Sequence, residues 1–146
     1  PAARSNSACA GTQTAGLSVG GLVGPAAPSA PVVASSIEYN GSSWTAGGTD
    51  TTSRYNAGAA GIQTSALIFG GITPPGGLIS NASLYDGTSF VTQPSMGTAR
   101  FLQTQGLGAT STVALAAAGQ TTTRVATVEE FTGQTETVNI EDFTTS

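Results

Sequence analysis

Apolar residues along this chain come in short runs bounded by Gly, Pro and small polar residues, with no sustained stripe at helical spacing. The run SALIFGG at 65–71 is short, apolar and closed by a double glycine. It predicts a buried strand whose backbone turns sharply on leaving the sheet. Before it, NAGAAG at 56–61 carries only small side chains, which suits a strand where space is tight. SACAG at 7–11 and the stretch 105–109 have the same character. After it, Ile79, Asn81, Ser83 and Tyr85 alternate with Ser80, Ala82 and Leu84, the period of two expected of a strand. Asn40-Gly41 and Asp86-Gly87 predict two-residue hairpin turns. Trp44 and Phe90 then open a further strand that turns polar, as an outer edge should, and Pro94 blunts that edge. With 20 Gly and 7 Pro among 146 residues, long helices are disfavoured throughout. The pattern predicts an all-β chain.

The same elements recur. GTQTAGLSVGG at 11–21 returns as GIQTSALIFGG at 61–71, and EYNGSSW at 38–44 returns as LYDGTSF at 84–90. The two spacings, 50 and 46 residues, differ because the first copy has a longer loop, LVGPAAPSAPVV at 22–33, where extra residues cost little. A third, weaker copy, EEFTGQT at 129–135, puts Phe131 and Gly133 where Tyr85 and Gly87 stand, and Gly119 in the place of the double glycine. Arg4, Arg54 and Arg100 open the three units, about 4–53, 54–99 and 100–146, of one repeat domain covering 1–146. The recurring signature is Arg4, Gly20, Gly21, Tyr39, Gly41 and Trp44, then Arg54, Gly70, Gly71, Tyr85, Gly87 and Phe90, then Arg100, Gly119, Phe131 and Gly133.

A period of 45–50 residues with a double glycine and a late aromatic belongs to propeller blades. The order strand, Gly-Gly, strand, Tyr-Asp, turn, aromatic, Arg resembles the kelch family. The wording is closer still to the degenerate kelch-like repeats of tail-fibre and other structural proteins of marine bacteriophages, and the resemblance covers essentially the whole chain. It implies about three four-stranded antiparallel sheets as blades of a β-propeller. Three blades are too few for a closed ring of four to eight, so the expectation is a partial propeller completed by other chain segments or by copies. Pro1 lies just before a unit boundary, which favours a piece of a longer or processed chain. The decay of the third unit suits a terminal repeat.

Charge narrows the function. The chain has four Arg, no Lys, no His and a net charge of −4. Three of the four Arg open units, which leaves Arg124 as the only other basic residue, too few for a phosphate-tracking surface. Nucleic acid is therefore excluded as a partner. Five of the eight acidic residues fall between 129 and 142, which reads as a solvated acidic end. A single Cys precludes an intrachain disulfide, and Cys9, inside the small-residue run, reads as a buried structural thiol. No stretch is long and apolar enough to span a membrane.

Catalytic chemistry finds little footing. Copper oxidation, known among kelch-type propellers, wants imidazole ligands, and there is no His. Propeller glycosidases need paired carboxylates. Glu129 and Glu130 are adjacent, so on a strand they point to opposite faces. Glu38, Asp86 and Glu130 read as turn or strand-end residues. The glycine runs GGLVG and GGITPPGG precede no helix and so offer no phosphate-binding helix end. The Arg openers read as structural ties to carbonyls of a neighbouring blade. Tyr39, Trp44, Tyr85, Phe90 and Phe131 read as packing between blades. The expectation is a non-enzymatic virion structural or adhesion protein, without cofactor, catalytic residues or metal. It would be a tail-fibre or capsid-surface propeller whose loops at 22–33 and 72–78 carry binding. Its partners would be other virion proteins or copies of itself, and a host-surface glycan or protein. The alternatives are a carbohydrate- or protein-binding module of a secreted or cell-surface protein, and a fragment of a carbohydrate-active enzyme.

Overall fold

The computed structural model describes residues 2–24, 30–101 and 107–132. Within them the chain is all-β and its sheets are antiparallel. The first unit holds β1 (Arg4–Ser5), β2 (Ala8–Gly11), β3 (Gly16–Val19), β4 (Leu22–Val23), β5 (Ser35–Tyr39) and β6 (Trp44–Thr49). The second holds β7 (Gly58–Ile62), β8 (Ser65–Phe69), β9 (Ile72–Thr73), β10 (Gly77–Leu78), β11 (Ala82–Tyr85) and β12 (Phe90–Gln93). The third holds β13 (Leu107–Thr110), β14 (Val113–Ala117) and β15 (Val128–Thr132). Each unit builds one main sheet with its strands in chain order: β2-β3-β5-β6, β7-β8-β11-β12 and β13-β14-β15. A fourth strand of the third sheet, expected after Gly133, lies outside the described residues.

The same register recurs in the three sheets. Gly16 pairs with Tyr39, Ala66 with Tyr85 and Ala114 with Phe131. The aromatic of each copy thus stands at one rung of one ladder. Tyr39 and Tyr85 then pair with Trp44 and Phe90 on the fourth strand.

The sheets stack face to face, with β2 against β7 and β7 against β13. The alternation of β8 explains how one sheet serves two neighbours. Ala66 and Ile68, with Ala59 and Tyr85, join Leu17 and Val19 of the first sheet in one core. Leu67 and Phe69, with Ala60 and Ala82, join Ala114 and Ala116 of the third sheet in another. Residues 66–69 are therefore apolar at every position because both faces of their sheet are covered. The small side chains of β2 and β7 let these strands approach closely.

Three expectations are corrected. The hairpin loops at Asn40 and Asp86 span four residues rather than two. Asn40 Oδ1 accepts from the Ser42 and Ser43 N–H groups, Asp86 Oδ1 from Thr88 and Ser89, and Gly41 and Gly87 supply positive φ of 92° and 95°. An Asx carboxylate or amide that caps its own turn makes the longer loop self-sufficient. The third strand of the second sheet starts at Ala82 rather than Ile79, because 72–73 and 77–78 pair into a small hairpin of their own. Cys9 is exposed, not buried. It alternates with Ala8, which faces the second sheet, so its thiol points to the opposite face.

Candidate functional site: the unit junctions and their loops

The Arg openers and the double glycines form one device. Arg54 Nη1 donates to the carbonyls of Gly70 (3.3 Å) and Asn81 (2.8 Å), and Arg4 Nη1 to those of Gly20 (3.2 Å) and Ser35 (2.9 Å). Arg100 Nη1 donates to the Thr127 carbonyl at 2.8 Å, and its Nη2 to Ala116 at 3.3 Å. The carbonyls of Ser35, Asn81 and Thr127 are equivalent, since each also accepts from the N–H of Gly20, Gly70 or Ala118. Each guanidinium therefore ties together the second and third strands of its own unit. The expectation that these guanidinium groups tie to carbonyls of a neighbouring unit is corrected: the main chain makes that tie instead. The Arg54 carbonyl accepts from Gly21 N–H (2.8 Å) and the Arg100 carbonyl from Gly71 N–H (2.9 Å), both in the preceding unit.

This crossing dictates the glycines. Gly70 lies at φ 65°, and a Cβ on it would stand 2.7 Å from the Arg100 carbonyl. Gly20 meets the Arg54 carbonyl in the same way. Gly21 and Gly71 face the backbone of their own opener instead, with a Cβ 2.6 Å from Ser5 O and 2.8 Å from Tyr55 O. In the third unit Ala118 (φ 57°) and Gly119 (φ 114°) fill the pair of positions.

Charge compensation is local and differs by unit. Arg54 and Asp50 are both buried, with Nε 3.2 Å from Oδ2. Burial holds the Arg54 guanidinium below its usual value, and Asp50 pulls it back. Buried Arg100 pairs with Glu129 at 2.9 Å, and Glu129 also accepts from the Gly97 and Thr98 N–H groups. Asp50 and Glu129 occupy unrelated positions in their units, so the repeat could not reveal them.

Across the first junction, Tyr85 Oη donates to Glu38 Oε1 at 2.5 Å and accepts from Gly48 N–H at 3.4 Å. Gln63 Nε2 donates to the carbonyls of Gly16 (3.0 Å) and Tyr39 (2.8 Å). Across the second junction, Ser65 and Ser111 share a 2.6 Å hydroxyl bond, and Phe131 and Met96 pack on the core. A cleft of about 220 Å³ remains there, lined by Phe69, Pro94, Met96, Ala114, Glu129 and Phe131. It exists because Ala116 stands where the second sheet has Ile68.

Phe90 is half-buried against Tyr85, with ring centroids 4.5 Å apart, whereas Trp44 is 40% exposed beside Tyr39 at 5.2 Å. Both were expected to pack between blades. Trp44 does not, because its face of the first sheet has no sheet against it among the described residues.

One neck recurs in all three units. The carbonyls of Gly21, Gly71 and Gly119 accept from the N–H groups of Val33, Ile79 and Val125. Between these fixed ends run loops of different length and sequence, including the expected 22–33 and 72–78 and a third at 120–125 that carries Arg124. Among the described residues, no group of three or more His, Cys, Asp or Glu side chains could hold a metal, and no helix is long and apolar enough to cross a membrane. Comparison with models of known protein families and with curated protein sequences gives no match.

Proposed function

We propose that the chain is a non-enzymatic structural and adhesion component of a bacteriophage virion, its three units being kelch-like propeller blades that display binding loops. The observation that carries this reading is the repeated neck. Gly21–Val33, Gly71–Ile79 and Gly119–Val125 close three loops of unequal length with the same hydrogen bond, on a frame that barely varies. A frame held constant under loops that vary is the division of labour of a display scaffold. The low charge and polar Thr/Ser/Gln surface suit a particle surface rather than a nucleic-acid partner.

Immunogold labelling of purified phage particles with an antibody against the chain tests this. Label on the tail or capsid surface is expected. Label on host cells with none on particles would reject it. The loops are tested separately, by replacing 72–78 with a Gly/Ser linker and measuring attachment to host cells, which should fall while the fold persists.

A further inference from the structure

The two outermost faces of the stack carry the halves of a contact that the first junction already makes. At that junction the second sheet presents Gln63 and Tyr85, which donate to the Gly16 and Tyr39 carbonyls and to the Glu38 carboxylate. One unit earlier, Gln13 and Tyr39 occupy the same positions on the face of the first sheet that no other sheet covers among the described residues, with Trp44 in the place of Phe90. Gln13 is exposed, and Trp44 is 40% exposed. At the far end, Glu130 pairs with Leu115 as Glu38 pairs with Leu17. Glu130 therefore stands in Glu38's place on the face of the third sheet that no other sheet covers among the described residues, beside Val113, which is 65% exposed.

The second junction shows that these positions match as pairs. There Leu84 and Phe131, both apolar, stand at the positions that Glu38 and Tyr85 hold at the first junction. Gln63 is likewise replaced, by Ser111, which finds Ser65. Where the acceptor is lost, the donor is lost with it. The uncovered faces keep both, Tyr39 on one and Glu130 on the other.

We infer that the first sheet of one chain docks on the third sheet of a second copy, with Tyr39 donating to Glu130 and Gln13 to the Ala114 and Phe131 carbonyls. The contact rests on the repeat alone. The number of copies rests on the propeller reading: of rings of four to eight sheets, only six is a multiple of three. Two copies then close a ring through two equivalent head-to-tail contacts.

Sedimentation of the 146-residue chain at micromolar concentration is the test, and a particle of twice the chain's mass is expected. Tyr39→Phe and Glu130→Leu should each weaken the pair at least about tenfold, equivalent to about 1.4 kcal/mol for one unpaired buried group. Together they should restore it, because the double variant puts at both positions the apolar residue types that the second junction has there. The thiol of Cys9, on the docking face, gives a reading without substitution: its reaction with a maleimide should slow as concentration rises. A monomer, or an association indifferent to both substitutions, overturns the docking. A monomer that pairs only after removal of 133–146 overturns it too, since the chain's own segment then fills the face. A ladder of ever larger species that still responds to Tyr39 and Glu130 overturns the closed pair, and the propeller reading with it.

Discussion

Tyr85 reaches across the first junction to hydrogen-bond Glu38 at 2.5 Å, while its ring, 1% exposed, lies between the two sheets. One side chain thus joins the apolar core to the polar contact beside it. Burial first, and then the hydrogen bond that the phenol donates to Glu38, push it above its ordinary value of 10.0. The unfolded chain therefore ionises at this tyrosine before the folded one does. The stability tied to the neutral phenol is complete below pH 10 and is lost as pH rises through the folded-state value. In an alkaline absorbance titration, one of the three tyrosines should ionise late, and Tyr85→Phe should remove that late step. A Tyr85→Phe chain that keeps it would contradict the assignment.

Arg54→Met should cost about 3–5 kcal/mol, because it strands the buried Asp50 carboxylate and the Gly70 and Asn81 carbonyls. Arg4→Met should cost less, about 1–2 kcal/mol, since Arg4 is only half-buried and its partners can turn to water. Urea denaturation of both variants measures the difference. Equal losses would mean that the Asp50 pair adds nothing.

Gly70→Ala should destabilise by about 1–3 kcal/mol, from positive φ and from the Arg100 carbonyl in the path of the new methyl. Ala118→Gly should leave stability within about 1 kcal/mol or raise it, because φ is already 57° there and glycine removes the strain. Thermal melts of the pair decide it, and a neutral Gly70→Ala would refute the close crossing.

Phe90→Ala should cost about 2 kcal/mol, less than the full loss of a core phenylalanine, because the ring is half-buried. Trp44→Ala should cost under about 1 kcal/mol in the isolated chain, where the ring faces solvent. Denaturation below the association range compares them, and a larger loss for Trp44 would place that ring in a core.

What could be read before the structure was whatever the repeat duplicates. Residues 61–71 against 11–21, and 84–90 against 38–44, located the strands, the double glycines and the ladder rung of Tyr39, Tyr85 and Phe131. What could not be read was whatever breaks the repeat. Asp50 and Glu129 neutralise equivalent arginines from unrelated places, and nothing in the spacing links them. Gln13 and Gln63 lay inside the duplicated phrase, yet a polar turn residue gives no sign of its reach until the next sheet is placed beside it. Cys9 and Trp44 were misjudged for one shared reason: side-chain size suggests burial, but burial depends on which face of a sheet has a neighbour.

The split loyalty of the arginines bears on how such a chain can change length. Arg54 gives its carbonyl to the unit before and its Nη1 donor to the carbonyls of the unit it opens. A segment running from one opener to the next therefore carries one complete set of the donors and acceptors of this crossing. Duplicating or excising that segment at the gene level would leave each seam with the same main-chain crossing as before. A cut placed elsewhere, between Gly70 and Asn81 for instance, would leave a guanidinium with half its carbonyls. Recombination in such a lineage is thus expected to count in whole units, with breakpoints at the arginines, while the loops between the fixed necks stay open to residue-by-residue change.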